Sequence, residues 1–331
     1  MERGFDIWAN PSSPHAEGRK AREALEDARA RIKAALGWEG ELIFTSGASE
    51  AAALALGGTR PGLRFASAVE HDAVLNAAPD AHILPVGPDG AASLSGIESG
   101  LVAVQQVNSE TGNRQDIAGI AAIVHQTGGL LVTDCAQGAG KMALAAEADM
   151  AIVSAHKFGG PIGIGALLVK DFAMLVPSGG QERGYRRGTE NLPGALGMGA
   201  ALEAASESYV DPEVLAPLDA FAEEVRALGG EWLSDRLSDP TPYIRAIAMP
   251  GLSGSAQLMR FDLAGIAVSQ GSACSSGTMK RSHVLTAMGI PDELADRTIR
   301  VSFGWSSRRA EVERFCEKWL AMAREAAERA A

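Results

Sequence analysis

Lys157 lies within Ser154-Ala155-His156-Lys157-Phe158-Gly159-Gly160-Pro161, directly after the apolar run Met150-Ala151-Ile152-Val153. A lysine normally sits in solvent, so one between a buried-type strand and a Gly-Gly-Pro turn is placed where desolvation eases the loss of its proton. A neutral amine is what imine formation with a carbonyl group requires; taken alone, the same residue is a strand-end lysine reaching water. Asp134 ends the run Leu130-Leu131-Val132-Thr133 and precedes Cys135-Ala136-Gln137, which puts its carboxylate at the same sheet edge. An acid there can hold a pyridinium nitrogen protonated and make the ring an electron sink, or it can cap the next helix. His71, after the run Ala66 to Val69, is placed to stack on a ring or shuttle a proton, or it is structural. The strand Ile43-Phe44-Thr45 runs into Ser46-Gly47-Ala48-Ser49-Glu50 and an Ala-rich helix. That geometry seats an anion on helix N-terminal amides, or is a simple cap by Ser46 or Ser49. No GxxxxGK[ST] occurs, and Gly159, Gly160, Gly163 and Gly165 precede a strand, so nucleotide and dinucleotide fingerprints are absent. Cys274 sits among the small residues of Gly271-Ser272-Ala273-Cys274-Ser275-Ser276-Gly277, a loop setting suited to a nucleophilic thiolate. Cys135 and Cys316 are assigned to inert burial.

These groups need a frame that carries them to one edge. Ala21, Ala24, Leu25, Ala28, Ile32, Ala35 and Leu36, stopped by Gly37, predict an amphipathic helix. Short apolar runs at 42–44, 64–66, 83–86, 101–107, 130–133, 150–153 and 164–169 follow, with helical patterns between them. Because the runs are continuous rather than alternating, they predict strands covered on both faces. The expected fold is α/β with a mostly parallel sheet flanked by helices, its ligand beyond the carboxyl ends of the strands. After a helical segment at 192–207, Asp211-Pro212 marks a hinge. Strands at 243–249 and 298–303, a helix at 257–263 and a terminal helix from Arg309 predict a smaller α+β domain. The expected division is therefore residues 1–210 and residues 211–331.

At 331 residues, a large domain with a smaller one is the default. The composition is 46% hydrophobic without an uninterrupted apolar stretch of membrane-spanning length, and the first residues lack a basic region followed by a hydrophobic one. A soluble cytoplasmic protein is expected, with no membrane partner. A net charge of −11 opposes nucleic-acid binding. Three cysteines are too few for a disulfide framework, and six histidines show no metal-ligand spacing, so no metal is expected.

Seven segments occur in an order that resembles the cysteine desulfurases, within the class V aminotransferase branch of fold-type I pyridoxal 5'-phosphate (PLP) enzymes. They are Thr45 to Glu50, Glu70-His71, Asn108-Ser109-Glu110-Thr111-Gly112, Asp134 to Gln137, Ser154 to Lys157, Glu182 to Thr189 and Gly271 to Gly277. The resemblance runs from about Asn10 to the C-terminal helix. It implies that Lys157 is the Schiff-base lysine, that His71 stacks on the cofactor ring, and that Asp134 meets the pyridine nitrogen and Gln137 the phenolic oxygen. Ala48, Ser49, Ser154 and His156 would hold the phosphate, with Thr189 contributed by the partner subunit of a homodimer. Asn108 and Arg300 would contact the substrate carboxylate, to which an arginine fork is suited. The long Gly/Ser-rich segment before Ser282-His283-Val284-Leu285 resembles the subgroup with an extended catalytic loop. The implied activity converts L-cysteine to L-alanine. Lys157 moves the α-proton and the Cys274 thiolate attacks the substrate sulfur, with His71 as a candidate base. The resulting persulfide passes to a sulfur-acceptor protein for iron–sulfur clusters or thio-modification.

Departures from the family pattern are Cys135 for Ala, Ala155 for Gly, Ser109 for Asn and Arg187 for Ser. No Tyr-Leu-Asp-x-Ala-Ala-Thr-Thr-Pro-like segment precedes Asn10, so relative to the family the chain reads as N-terminally short. Two alternatives stay open: another class V lyase or aminotransferase, for instance a selenocysteine lyase, and a truncated non-catalytic PLP-fold scaffold.

Overall fold

A computed structural model of the chain describes residues 1–60, 62–205, 209–271 and 281–330. The chain forms two compact units, one of Met1–Leu84, Leu94–Val107 and Asp116–Glu207, the other of Pro85–Ser93, Asn108–Gln115 and Ser208–Ala331. The second unit thus draws in two stretches from the N-terminal half, and Asn108 falls in one of them.

The first unit holds, in chain order, α1 (Glu2–Asp6), α2 (Ala16–Leu36), β1 (Glu41–Thr45), α3 (Ala48–Gly58), β2 (Leu63–Ser67), α4 (Asp72–Ala77) and β3 (His82–Leu84). It continues through β4 (Gly100–Ala103), α5 (Ile117–Gln126), β5 (Leu130–Asp134), β6 (Met150–Ser154), β7 (Gly165–Val169) and α6 (Leu192–Ala204). Each of the seven apolar runs forms a strand, and the strands make one sheet in the order β1-β7-β6-β5-β4-β2-β3. β2, β3, β4, β5 and β6 pair in parallel. Their continuous apolar runs fit this arrangement, since β6 and β7 are buried along their whole lengths. β7 alone runs against its neighbours β6 and β1. The 155–164 connection is too short for the crossover that a parallel return needs. One face of the sheet packs Ile43, Ile152 and Leu167 against Ala51, Ala52, Ala55 and Leu56 of α3. α2 packs along α6 and stops where Gly37 takes a left-handed φ of 64°.

The second unit holds α7 (Pro212–Leu215), α8 (Pro217–Ala227), β8 (Glu231–Trp232), β9 (Ile244–Ala248), α9 (Gly254–Leu263), α10 (His283–Ala287), α11 (Asp292–Asp296), β10 (Thr298–Ser302) and α12 (Arg309–Ala330). Its sheet is antiparallel, β10-β9-β8. An aromatic cluster of Phe221, Trp232, Phe261, Phe315 and Trp319 fills its core, with ring centroids 5.3–5.9 Å apart.

Two glycines fix how closely the site elements of the first unit approach. A Cβ on Gly165 would meet Gly47 Cα at 2.8 Å and Val153 O at 2.5 Å, so only glycine lets β7 start against the β1–α3 turn. The segment beyond β7 is held by a buried ion pair. Arg29 Nη1 and Nη2 donate to Glu182 at 2.7 and 3.0 Å, and Phe44 N–H donates to the same carboxylate at 2.9 Å. Glu182 and Arg183 take positive φ values of 48° and 56°, a strained conformation that such a clamp over-determines. Removing one partner of a buried pair costs ~3–5 kcal/mol. Arg29→Met is therefore expected to lose about that much unfolding free energy in urea, and Arg29→Met/Glu182→Leu to recover part of it. A single variant as stable as the wild type would contradict the assignment.

Candidate active site

β6 ends at Ser154 and the chain makes one tight 3-10 turn, Ala155–Lys157, with Phe158 and Gly160 N–H both donating to Ala155 O at 3.1 and 2.9 Å. The turn leaves Lys157 half-buried at the carboxyl edge of the sheet. Ala155 is fully buried, and a Cβ on Gly160 would lie 2.9 Å from its methyl, which makes the second glycine of the Gly-Gly-Pro turn necessary.

One strand over, Asp134 pairs in register with Ile152, and Ala136 N–H donates to its Oδ1 at 2.8 Å. Desolvation pushes the Asp134 carboxyl up, while the Ala136 N–H and electrostatic interaction with His71 and Lys157 pull it back. That electrostatic coupling places Asp134, His71 and Lys157 at one locus. His71 N-caps α4: its Nδ1 accepts from Ala73 N–H at 3.0 Å, which leaves Nε2 to carry the ring proton.

The residue before His71 received no role from the sequence. Glu70 is fully buried, and its Oε1 accepts from Gln105 N–H at 2.9 Å. The Gln105 side-chain amide in turn donates to Val69 O, which ties the end of β2 to the chain beyond β4. Burial raises the Glu70 carboxyl well above its ordinary value. The Gln105 N–H works against the shift and the Asp134 charge adds to it. An acid directly after an apolar run is the one sequence signal that marks it.

The β1–α3 turn supplies anion-binding capacity. Gly47 is the N-cap of α3 and no side chain caps the helix; Ser46 N–H goes instead to Glu50 Oε2 at 2.5 Å, so neither Ser46 nor Ser49 makes the alternative cap. Ser154 Oγ lies 3.6 Å from where a Gly47 Cβ would stand, and 2.9 Å from His156 Nδ1. Partial desolvation first, then the charges of Lys157 and Lys141, lower the His156 imidazole. Glu50 also accepts from Arg186 Nε at 3.0 Å, and Arg186 Nη1 reaches Gly188 O and Thr189 O at 3.2 and 3.5 Å. Thr189 itself is exposed. Gln137 Oε1 accepts from Lys141 Nζ at 2.8 Å.

Asn108 and Arg300 belong to the second unit. Asn108 Oδ1 organises its own turn, accepting from Glu110 N–H, Thr111 N–H and Thr111 Oγ1 at 2.8–3.1 Å. Arg300 donates to Ser109 O at 2.8 Å and Ser269 Oγ at 3.1 Å, and exchanges main-chain hydrogen bonds with Ser269. Ser282 Oγ donates to Glu110 Oε2 at 2.5 Å. Cys274 lies outside the described residues. Cys135 and Cys316 are buried as expected; burial raises both thiols, Cys316 to about 12.

The aminotransferase class-V family pattern matches residues 5–315. The chain is 36% identical to a cysteine desulfurase of Cereibacter sphaeroides, over 94% of this chain and 87% of that one. It is 33% identical to cysteine desulfurase IscS 1 of Archaeoglobus fulgidus, over 94% and 88%. Among solved structures, a NifS-like protein of Rickettsia africae superposes with a TM-score of 0.85 at 28% identity, covering 97% of this chain and 94% of that one. SspA in complex with cysteine superposes with a TM-score of 0.76 at 31% identity, over 90% and 92%.

Glu70 generates a pH dependence of stability. The folded protein favours the neutral acid, whereas the unfolded chain ionises it near pH ~4.3. Its contribution is therefore complete below that value and is lost as pH rises toward the elevated folded value. Glu70→Gln keeps an acceptor for Gln105 and never ionises. Its urea midpoint is expected to meet the wild type's near pH ~4 and to exceed it increasingly toward neutrality; a constant offset across that range would contradict the assignment.

Proposed function

This chain belongs to the aminotransferase class-V family, and on that premise we propose that it is a PLP-dependent cysteine desulfurase, converting L-cysteine to L-alanine with the sulfur carried on Cys274. The carrying observation is the Asp134–His71–Lys157 locus at the carboxyl ends of β5, β2 and β6, in a chain 33–37% identical to cysteine desulfurases along most of its length.

The residues fit PLP. Asp134 is a half-buried acid whose carboxyl stands above its ordinary value through desolvation, and a pyridinium nitrogen would supply counter-charge to such a group. The uncapped α3 terminus with Ala48 and Ser49, together with Ser154 and His156, offers amide, hydroxyl and imidazole donors to a phosphate. Thr189 of a partner subunit in a homodimer completes that set in this reading, and Gln137 serves the phenolic oxygen. When bound, PLP supplies an electron sink for the charge developing at the substrate α-carbon.

Lys157 would hold the cofactor through its side-chain amine, and that amine, when free, would take the substrate α-proton. His71 covers the ring and presents Nε2 as the end that gives or takes a proton. Asn108 and Arg300 bind the substrate carboxylate. The Cys274 thiolate attacks the substrate sulfur, so that a sulfur–sulfur bond forms as the carbon–sulfur bond breaks. The carbon keeps the electron pair and is protonated to alanine. Cys135 and Cys316 do not compete, because burial holds both as thiols. The persulfide passes to an acceptor protein, for cluster assembly or thio-modification, in the cytoplasm. No described helix is long and apolar enough to cross a membrane.

With L-cysteine, dithiothreitol and PLP, the wild type is expected to release alanine and sulfide in equal amounts. Cys274→Ser is expected to lose sulfide release while keeping the absorbance of the bound cofactor. Full turnover in Cys274→Ser would favour a different class V lyase, such as one acting on selenocysteine. Cofactor absorbance without any wild-type turnover would leave a scaffold.

A further inference from the structure

We propose that Lys141 is a positioning residue that sets the direction of the Gln137 amide, and with it the hydrogen bond this amide gives to the cofactor. The inference rests on the assignment of Gln137 to the phenolic oxygen. After β5 the chain closes into a helix-like turn: Gly138 and Ala139 N–H donate to Cys135 O at 3.0 and 2.8 Å, and Lys141 and Met142 N–H donate to Gly138 O at 2.9 and 3.0 Å. Side chains four apart share a face in such a turn, and Lys141 Nζ donates to Gln137 Oε1 at 2.8 Å. An ammonium group has donors only, so the amide must present oxygen to it. Nε2 is left as the donating end, the polarity that a phenolate oxygen requires. Rotated by half a turn, the same amide would set its oxygen against that oxygen.

The turn is braced toward the lysine that anchors the cofactor. Gly140 has φ 71°, and a Cβ there would meet Phe158 Cβ at 2.8 Å, next to Lys157 in the chain. Gln106 Nε2 donates to Ala143 O at 2.7 Å, and its side chain leaves no room for a Cβ on Gly138. Lys141 and Lys157 both act electrostatically on His156, lowering its imidazole after the larger effect of desolvation.

The test is the pH at which the absorbance of PLP bound through Lys157 titrates, measured with Lys157→Ala as the blank. Removing Lys141 takes away a hydrogen bond and a positive charge that both disfavour proton uptake by the imine. Lys141→Met is therefore expected to raise that pH by about one unit, a tenfold change in the equilibrium. Lys141→Arg, which keeps a donor, is expected to titrate near the wild type. Gln137→Ala should shift in the same direction as Lys141→Met, and the double variant by clearly less than the sum of the two, because the hydrogen-bond part of the Lys141 effect passes through Gln137. An unshifted Lys141→Met, or a double variant whose shifts add, would overturn the inference; if Lys141→Met does not fold, Lys141→Gln carries the comparison. A wild type without any Lys157-dependent absorbance would overturn the underlying reading, and this inference with it.

Discussion

A carboxyl group desolvated at the end of a strand is costly to ionise unless donors and positive charge are built around it. Asp134 is that group here, and the surrounding elements supply the compensation. β6 carries Lys157 to the neighbouring strand end, the β2–α4 turn brings His71, and the Ala136 N–H bonds the carboxylate from its own turn. These groups still leave the carboxyl above its ordinary value, so a cationic ring nitrogen placed there, as proposed above, would be stabilised by it. Glu70, buried beside Asp134 and favouring its neutral form, adds a carboxyl to the same wall without adding a full negative charge.

The sheet is built to hold this edge. All its strands except β7 point their carboxyl ends the same way, and the antiparallel β7 returns to the edge with Gly165 pressed against Gly47. That contact puts Ser154 beside the uncapped end of α3. The free amides proposed to bind an anion and the lysine proposed to form the imine thus come from different elements rather than from one motif. The Arg29–Glu182 clamp fixes the start of the strained segment that runs on to Thr189, and Arg186 ties that segment to Glu50 at the α3 terminus.

Much of this was legible in the sequence, and the reasons are local. Runs such as Met150 to Val153 are apolar on both sides because both faces of their strand are covered, so each run predicted a strand. Gly37 marked the end of α2 through the left-handed conformation it adopts. The direction of β7 was not legible from its composition, since it follows from the length of the connection before it. Glu70 received no role from the sequence because its burial and its hydrogen bond depend on Gln105, 35 residues along the chain. Lys141 became meaningful only once the turn put it on the same face as Gln137. Likewise, 85–93 and 108–115 join the second unit through tertiary contacts that no local pattern encodes.

Everything proposed for this site turns on Lys157, at the end of β6, being the residue that would hold the cofactor. Reconstitution with PLP, reduction with borohydride and peptide mapping by mass spectrometry test it directly, because reduction makes the lysine–cofactor link permanent. A single pyridoxyl label on Lys157, lost in Lys157→Ala, is expected. Labelling of Lys141 or of surface lysines instead, or no label at all, would contradict it.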